Sequence, residues 1–365
     1  MSRNSSPRIH GFKAVAFALL LSASLVSMAA AATLIFSSGN PDGLVGTLSV
    51  PAAGTQVQTE TADDFVLAEN TIIEQATFTG LIPTGAALSD ITRVEIEFYN
   101  VFPLDSTNPP SGMVPTRDNS PADVEIDEAT SDSADGTLMF TSSLVNGSFS
   151  VANTVVSGIN KSPNQLTGGE GPVTGQEVTI TVTFNPAISL PPGHYFFRPE
   201  VQVTNGNFLW LSTPHPVVAP GTPFTPDLQT WIRNDNLAPD WLRVGTDIIG
   251  GTTVFNAAFT LSGDLDQDND GVPDSVDQCP DTPADSVVNA NGCSLDQLVP
   301  CAGPITGGTW KNHGEYVSTF TQTVKQFIAQ GLISRQQKGQ LTSAAARSNC
   351  GKPTHGGGHG HGHGH

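Results

Sequence analysis

EVTITVTFN, residues Glu177–Asn185, sets Val178, Ile180, Val182 and Phe184 against Thr179, Thr181 and Thr183. A period of two marks a strand with one face buried and one wet, because successive side chains leave a pleated backbone on opposite sides. The same alternation recurs in TRVEIEFYNV, Thr92–Val101, where Val94, Ile96 and Phe98 oppose Arg93, Glu95 and Glu97. Working outward, ADDFVLA, IIEQATFTGL, TLMFTSSLV, GSFSVANTVV, HYFFRPEVQV, NFLWLS, TWIRN and TVFNAAFTLSG also read as strands. Clusters such as TGGEGPVTG and SLPPGHY punctuate them with the residues that turns require. Some ten short strands in the cysteine-free residues 33–262 imply a mainly β domain, a jelly-roll-like β-sandwich. The insert Pro110–Gly136 is expected to form a mobile surface loop.

The chain begins with a targeting pattern. Arg3, Arg8 and Lys13 precede the apolar AVAFALLLSASLV (Ala14–Val26) and the small residues SMAAAA (Ser27–Ala32). This order predicts a signal peptide over residues 1–32, cleaved after Ala30, Ala31 or Ala32. An uncleaved anchor helix is the alternative, but the apolar run is short. No other stretch is long and apolar enough to span a bilayer, so the mature chain is expected to be secreted or held at the cell surface. The 365 residues carry a net charge of −19, and removal of the three basic residues takes it to about −22. Such a balance argues against nucleic acid or an anionic membrane as partner and favours cations. The four cysteines, Cys279, Cys293, Cys301 and Cys350, all lie in the last quarter. An even number in an exported chain reads as two disulfides. Three connectivities are possible; the sequential one, Cys279–Cys293 and Cys301–Cys350, closes one local unit with each bridge.

Between the strands and the second pair of cysteines the composition changes. DLDQDNDGVPDSVDQCPDTP, Asp264–Pro283, holds seven aspartates and no basic residue. Counted from Asp266, positions 1, 3 and 5 are Asp266, Asp268 and Asp270, position 6 is Gly271, position 9 is Asp274 and position 12 is Asp277. This is the D-x-D-x-D-G spacing of a calcium loop. Alternate side chains of a tight turn point inward, Gly271 permits the sharp bend, and the Val272 carbonyl can add an uncharged ligand. Asp277 stands where a Glu usually reaches in with both oxygens. Carboxylates a few ångströms apart repel by about 1 kcal/mol per pair even in water, and a hard dication turns that repulsion into coordination. Calcium fits better than magnesium, which demands strict octahedral geometry and keeps its water. The alternative is a solvated acidic linker.

D-x-D-x-D-G-V-x-D-x-x-D-x-C-P-D-T-P resembles a thrombospondin type-3 repeat, in the form common in bacterial exported proteins. The resemblance spans about 30 residues, roughly 263–298 with its flanks. It implies a chain wrapped around calcium with little regular structure. It also implies Asp266, Asp268, Asp270, Asp274 and Asp277 as ligands and a Cys279–Cys293 bridge. By the same resemblance Asp264, Asp281, Asp285, Asn289 and Asn291 could serve a second ion. Family members usually carry several repeats in series, whereas this chain has one and a partial second. ADDFVLAENTIIEQATFTGLIP and ISLPPGHYFF resemble β-sandwich domains of bacterial secreted proteins, and GTWKNHGEYVSTFTQTVKQFIAQGLISRQQKGQLTSAAARSNCG is similar to a helical segment found after such repeats.

Residues 299–352 read as a helical hairpin. Val317, Phe320, Val324, Phe327 and Ile328 share one helical face, and Gly331 suits the stop. Ser334 with Gln337 has capping-box spacing, and Leu341, Ala344 and Ala345 can face the first helix. A Cys301–Cys350 bridge would contribute on the order of 4 kcal/mol to so small a unit. The tail, residues 353–365, spaces His355, His359, His361, His363 and His365 with glycine. It is expected to be disordered and to bind Zn, Ni or Cu, unless it is an affinity tag. Other signals have blander readings. His313 near Lys311, Glu315 and Tyr316 could form a small site, but a capping role with Trp310 and Tyr316 packing the hairpin is preferred. His194 and His215 lie in strand and Pro-rich contexts. Asp63 and Asp64 could be catalytic carboxylates or a calcium site, but a turn cap before the strand is preferred. Trp210, Trp231 and Trp241 with Tyr195 could stack sugars, but core positions are preferred. No serine or cysteine nucleophile has a recognisable partner pattern. The sequence therefore points to a non-enzymatic, extracellular calcium-binding structural or adhesive protein, with a surface or matrix glycan or protein as partner. A carbohydrate-binding protein or hydrolase with its site on the sandwich is the alternative.

Overall fold

The computed structural model describes residues 33–106, 108–132, 136–159, 166–217, 226–284 and 286–352. The predicted signal peptide and histidine tail lie outside them. In chain order the strands are β1 (Thr33–Ser37), β2 (Val45–Leu48), β3 (Thr59–Leu67), β4 (Thr71–Ile82), β5 (Ile91–Val101), β6 (Pro121–Thr130), β7 (Leu138–Val151) and β8 (Asn153–Val155). They continue with β9 (Val173–Leu190), β10 (Gly193–Val203), β11 (Leu209–Thr213), β12 (Trp231–Asn234), β13 (Leu242–Arg243), β14 (Asn256–Ala257) and β15 (Phe259–Leu265). The helices α1 (Leu295–Leu298), α2 (His313–Ala329) and α3 (Arg335–Arg347) follow. The chain is mainly β, with two sheets and two disulfides.

One sheet has nine strands, with β4 at its centre paired to β9, β15 and β11. The other has six, in the order β13-β12-β3-β10-β5-β6. The alternating residues of β5 and β9 explain how the two meet. Val94, Ile96 and Phe98 from one sheet and Val178, Ile180, Val182 and Phe184 from the other share a single apolar core. Aromatic rings knit it: Phe197 of β10 stacks on Phe259 of β15 with ring centroids 4.9 Å apart, and Phe98 meets Phe184 at 6.0 Å. Such pairs contribute about 1 kcal/mol each beyond the area they bury. On the outer face of β9, Thr181 and Thr179 stand 3.2 and 3.4 Å from Thr77 and Thr79 of β4, a cross-strand threonine ladder.

Three expectations change. The insert Pro110–Gly136 is not simply a loop: within it β6 pairs antiparallel with β5 and buries Ala122 and Ala129. The outer face of β5 is not wet at Glu97 and Tyr99, which are buried. Asp63 and Asp64 do not cap a turn; they lie inside β3, at most 1% exposed. Trp210, Trp231, Trp241 and Tyr195 are buried, as the core reading required.

The helical hairpin follows its sequence signals closely. Ser334 caps α3 with a reciprocal box to Gln337, and Asn312 caps α2 by accepting from the Glu315 N–H. Phe320, Val324 and Phe327 form its core with Trp310, Tyr316, Ile333 and Ala345, while Ala344 is exposed. The Cys301–Cys350 bridge closes it. His313 presents Nδ1 to Cys350 O at 2.7 Å and Nε2 to Ala346 O at 3.0 Å, tying the start of α2 to the end of α3.

Candidate metal centre

The acidic turn is a direct continuation of β15. Leu265 is still paired with Thr71, and the next residue, Asp266, is fully buried with its N–H donated to Asn70 O at 3.0 Å. The Asp266 carboxylate folds the turn around itself: Oδ1 accepts from Asp270 N at 3.1 Å and Oδ2 from Gly271 N at 3.0 Å. This winding needs the left-handed backbone of Asn269 (φ 59°) and Gly271 (φ 87°). Asp274 locks the other side, accepting from Gln267 N at 2.8 Å while its own N–H returns to Leu265 O.

The result brings ligand oxygens of Asp266, Asp268 and Asp270 within 4.8 Å of one another. Each of the last two carboxylates uses one oxygen structurally. Asp268 Oδ2 accepts from Thr282 N at 2.6 Å and Asp270 Oδ1 from Val272 N at 2.9 Å. Their second oxygens, Asp268 Oδ1 and Asp270 Oδ2, are buried without a hydrogen-bond partner. From Asp264 to Trp310 the sequence contains nine aspartates and no Lys, Arg or His. Burial, and then the charge of Asp268, hold the Asp266 carboxyl above its ordinary range. Burial also raises Asp270, with Asp268, Asp277 and Asp266 adding to it. Orphaned carboxylate oxygens with no cationic side chain are the donor set that a hard divalent ion takes.

The other expected ligands take varied places. Asp277 lies beside Asp270, where Gly292 closes over both: a methyl group on Gly292 would overlap Asp277 Oδ1 and come within 3.2 Å of Asp270 Oδ2. Asp277 Oδ1 also accepts from Cys279 N at 2.7 Å. Val272 follows Gly271 in the turn. Asp274 is outside the converging trio. For the second ion, Asp264 pairs with Ile72 in the sheet, and Asn289 Oδ1 caps its own turn by accepting from Asn291 N and Cys293 N. Asn291 O accepts from Gln278 N, Asp281 has φ 75°, and Asp285 lies outside the described residues. Among the described residues no other group of acidic, histidine or cysteine side chains converges as this trio does. The Cys279–Cys293 bridge pins the far side of the turn.

A second gathering of carboxylates escaped the sequence reading. On the outer face of the six-stranded sheet, Arg198 is fully buried among Glu60, Glu95, Glu97 and Glu200. Its Nη1 lies 2.9 Å from Glu200 Oε2 and its Nη2 3.2 Å from Glu60 Oε1, as ion pairs without hydrogen-bond alignment. Arg233 also pairs with Glu60, and its guanidinium lies 4.3 Å from the centre of a Trp241 ring. Burial pushes Glu60 up, but Arg198 and Arg233 pull it below its ordinary value. Burial outweighs Arg198 at Glu200, whose carboxyl is raised to about 7.

Asp63 and Asp64 form a third cluster. Asp63 accepts from Ala257 N at 2.8 Å and from the Thr230 hydroxyl at 3.2 Å. Asp64 Oδ2 sits 2.5 Å from His194 Nε2 and accepts from Leu228 N. Burial raises both carboxyls and depresses His194 to about 4. Burial thus disfavours the ionised form of both Asp64 and His194. His215 lies 3.0 Å from Asp227 O. A distinct groove of about 1080 Å³ lies at one end of the sheets, lined by Gln56, Thr84, Thr174, Gln202, Asn205 and Asn207 among others, none of them ionisable. Among the described residues no helix is long and apolar enough to cross a membrane.

No family model matches the chain, and no solved structure does. Curated proteins that share short segments with it include two from bacteria. An alpha-agarase of Thalassotalea agarivorans is 52% identical over 46 residues, 13% of this chain and 3% of that protein. Outer membrane porin F of Pseudomonas aeruginosa is 71% identical over 28 residues, 8% of each chain. The chain therefore spans less than a tenth of the length of either relative.

Proposed function

We propose that this is a secreted, extracellular calcium-binding structural or adhesive protein. Its acidic turn stiffens the connector between a jelly-roll-like β-sandwich and the helical hairpin. The reading treats residues 263–298 as a thrombospondin type-3-like repeat and the chain as a non-enzyme, with a surface or matrix glycan or protein as partner. One observation carries it: three aspartates converge with Asp268 Oδ1 and Asp270 Oδ2 unpartnered, in a stretch without a cationic side chain. Asp266, Asp268 and Asp270 would hold the ion, with Asp277 and the Val272 carbonyl as the nearest further oxygens. A bound dication would neutralise the turn and supply no covalent chemistry. Calorimetric titration should show calcium uptake with affinity in the range of extracellular modules, about 10⁻⁴–10⁻³ M. Asp268→Asn with Asp270→Asn should abolish it. A chelator should make residues 264–296 the first site of proteolytic cleavage, and identical cleavage with and without chelator would overturn the reading. The histidine tail would add a separate Zn, Ni or Cu site.

A second reading is favoured by the groove. Its mixed lining of amides, hydroxyls and aliphatic side chains, without any ionisable group, suits a neutral ligand with polar and apolar faces such as an oligosaccharide. The match to a protein named alpha-agarase covers 3% of that protein and brings no activity with it. An array of neutral glycans tests this reading. Binding lost in Asn205→Ala with Asn207→Ala supports it, and no binding by the unaltered chain rejects it.

A further inference from the structure

Thr282 lies between the two halves of the connector, 3% exposed. Its backbone N–H donates to Asp268 Oδ2, the structural oxygen of a carboxylate whose other oxygen is orphaned. Its hydroxyl oxygen lies 2.9 Å from Cys279 O, 2.8 Å from Gly292 O and 2.8 Å from Gln297 Oε1. All three are acceptors and a hydroxyl has one proton, so Thr282 donates to one at a time while the others crowd the same point. Gln297 extends the connection. Its Nε2 donates to Cys279 O at 3.1 Å, and its Oε1 accepts from Ser294 N at 2.9 Å. Gln297 N in turn donates to Ser294 Oγ, which completes the capping box that starts α1. Leu295 and Leu298 of α1 pack against the hairpin core, and Cys301 follows Leu298 by three residues.

We propose that Thr282 is the positioning residue through which metal occupancy of the acidic turn is transmitted to α1, and so to the joint with the helical hairpin. The inference rests on the calcium reading above. A cation held by Asp268 Oδ1 would fix that carboxylate against its neighbours' repulsion. Its second oxygen then stays on the Thr282 N–H, and the Thr282 hydroxyl stays on Gln297. Without the cation, mutual repulsion among Asp266, Asp268 and Asp270 favours a swing of Asp268 that removes the anchor from Thr282. The route uses contiguous hydrogen bonds with a definite beginning and end, which makes it open to test.

The test is amide hydrogen exchange on the full chain, with and without calcium, read at Leu298 and Val299. Their N–H groups donate to Ser294 O and Leu295 O and report the closure of α1. In the unaltered chain calcium should slow both about tenfold, the scale of one net hydrogen bond. Thr282→Val keeps the backbone N–H and removes the hydroxyl. It should still take up calcium by calorimetry, but the slowing at α1 should fall to about twofold or less. Thr282→Ser should restore it. Should the valine variant fail to fold, Thr282→Ala gives the same measurement with the α1 capping box and the acidic turn intact. Full slowing in either variant, or calcium uptake by the unaltered chain without slowing at α1, overturns the relay. Absence of uptake by the unaltered chain overturns the metal reading and the relay with it.

Discussion

Carboxylates crowd together on the outer face of the six-stranded sheet and again in the turn after β15, but only the sheet brings its own positive charge. There, Glu60, Glu95, Glu97 and Glu200 surround Arg198, with Arg233 alongside. In the turn, Asp266, Asp268 and Asp270 meet with no Lys, Arg or His from Asp264 to Trp310. In the sheet cluster the counter-charge comes from the chain itself, through Arg198 and Arg233. The turn has no such cation of its own in the sequence around it, and the proposed calcium ion would supply the missing charge. The difference teaches that crowded carboxylates alone do not single out a candidate metal site, because a sheet can bring its own cation to them.

The comparison can be broken most forcefully at Arg198. Arg198→Ala should strip the sheet cluster of its central cation and cost up to about 5 kcal/mol, measured by denaturant unfolding. Added calcium should not rescue it. A loss below about 1 kcal/mol would show that the cluster does not depend on its arginine. The second test is pH. Glu200 has a folded-state carboxyl raised to about 7, above its ordinary 4.5. The protonated form is therefore favoured by folding, and that contribution is complete below about pH 4.5. It is lost as pH rises through about 7, by about 3 kcal/mol. Unfolding curves across that range should show the decline, and Glu200→Gln should flatten it. The smallest effect belongs to the turn. Gly292→Ala places a methyl group against Asp277 and Asp270 at a backbone φ of 73°. It should destabilise the connector by roughly 1 kcal/mol and weaken calcium uptake, leaving unfolding of the sheets unchanged.

Local signals carried much of this to the page of sequence alone. The alternation in EVTITVTFN and TRVEIEFYNV marks β9 and β5, and Ser334 with Gln337 marks the start of α3. The trio Asp266, Asp268 and Asp270 is legible because one short turn makes it. What stayed hidden depends on partners far along the chain. Arg198 meets Glu60 and Glu97 only once β3, β10 and β5 lie side by side, so polar residues in alternation pass for a wet face. Asp63 reads as a cap until Ala257 N and the Thr230 hydroxyl, more than 160 residues away, arrive to hold it. β6 carries Asp123, Glu125, Asp127 and Glu128, a composition that mimics a loop, and only its pairing with β5 makes it a strand.

The pairing of Thr33 with Gly263 has a mechanical consequence. The first described strand and the last strand of the sheets are antiparallel neighbours, so the chain comes in and goes out at one end. A pull between those two points would peel β1 from β15 bond by bond, since the load falls on the ladder one rung at a time. Tension carried across the sheets would thus meet a zipper. Tension borne through residues 264–352 alone would leave the sheets unloaded, hanging as a pendant.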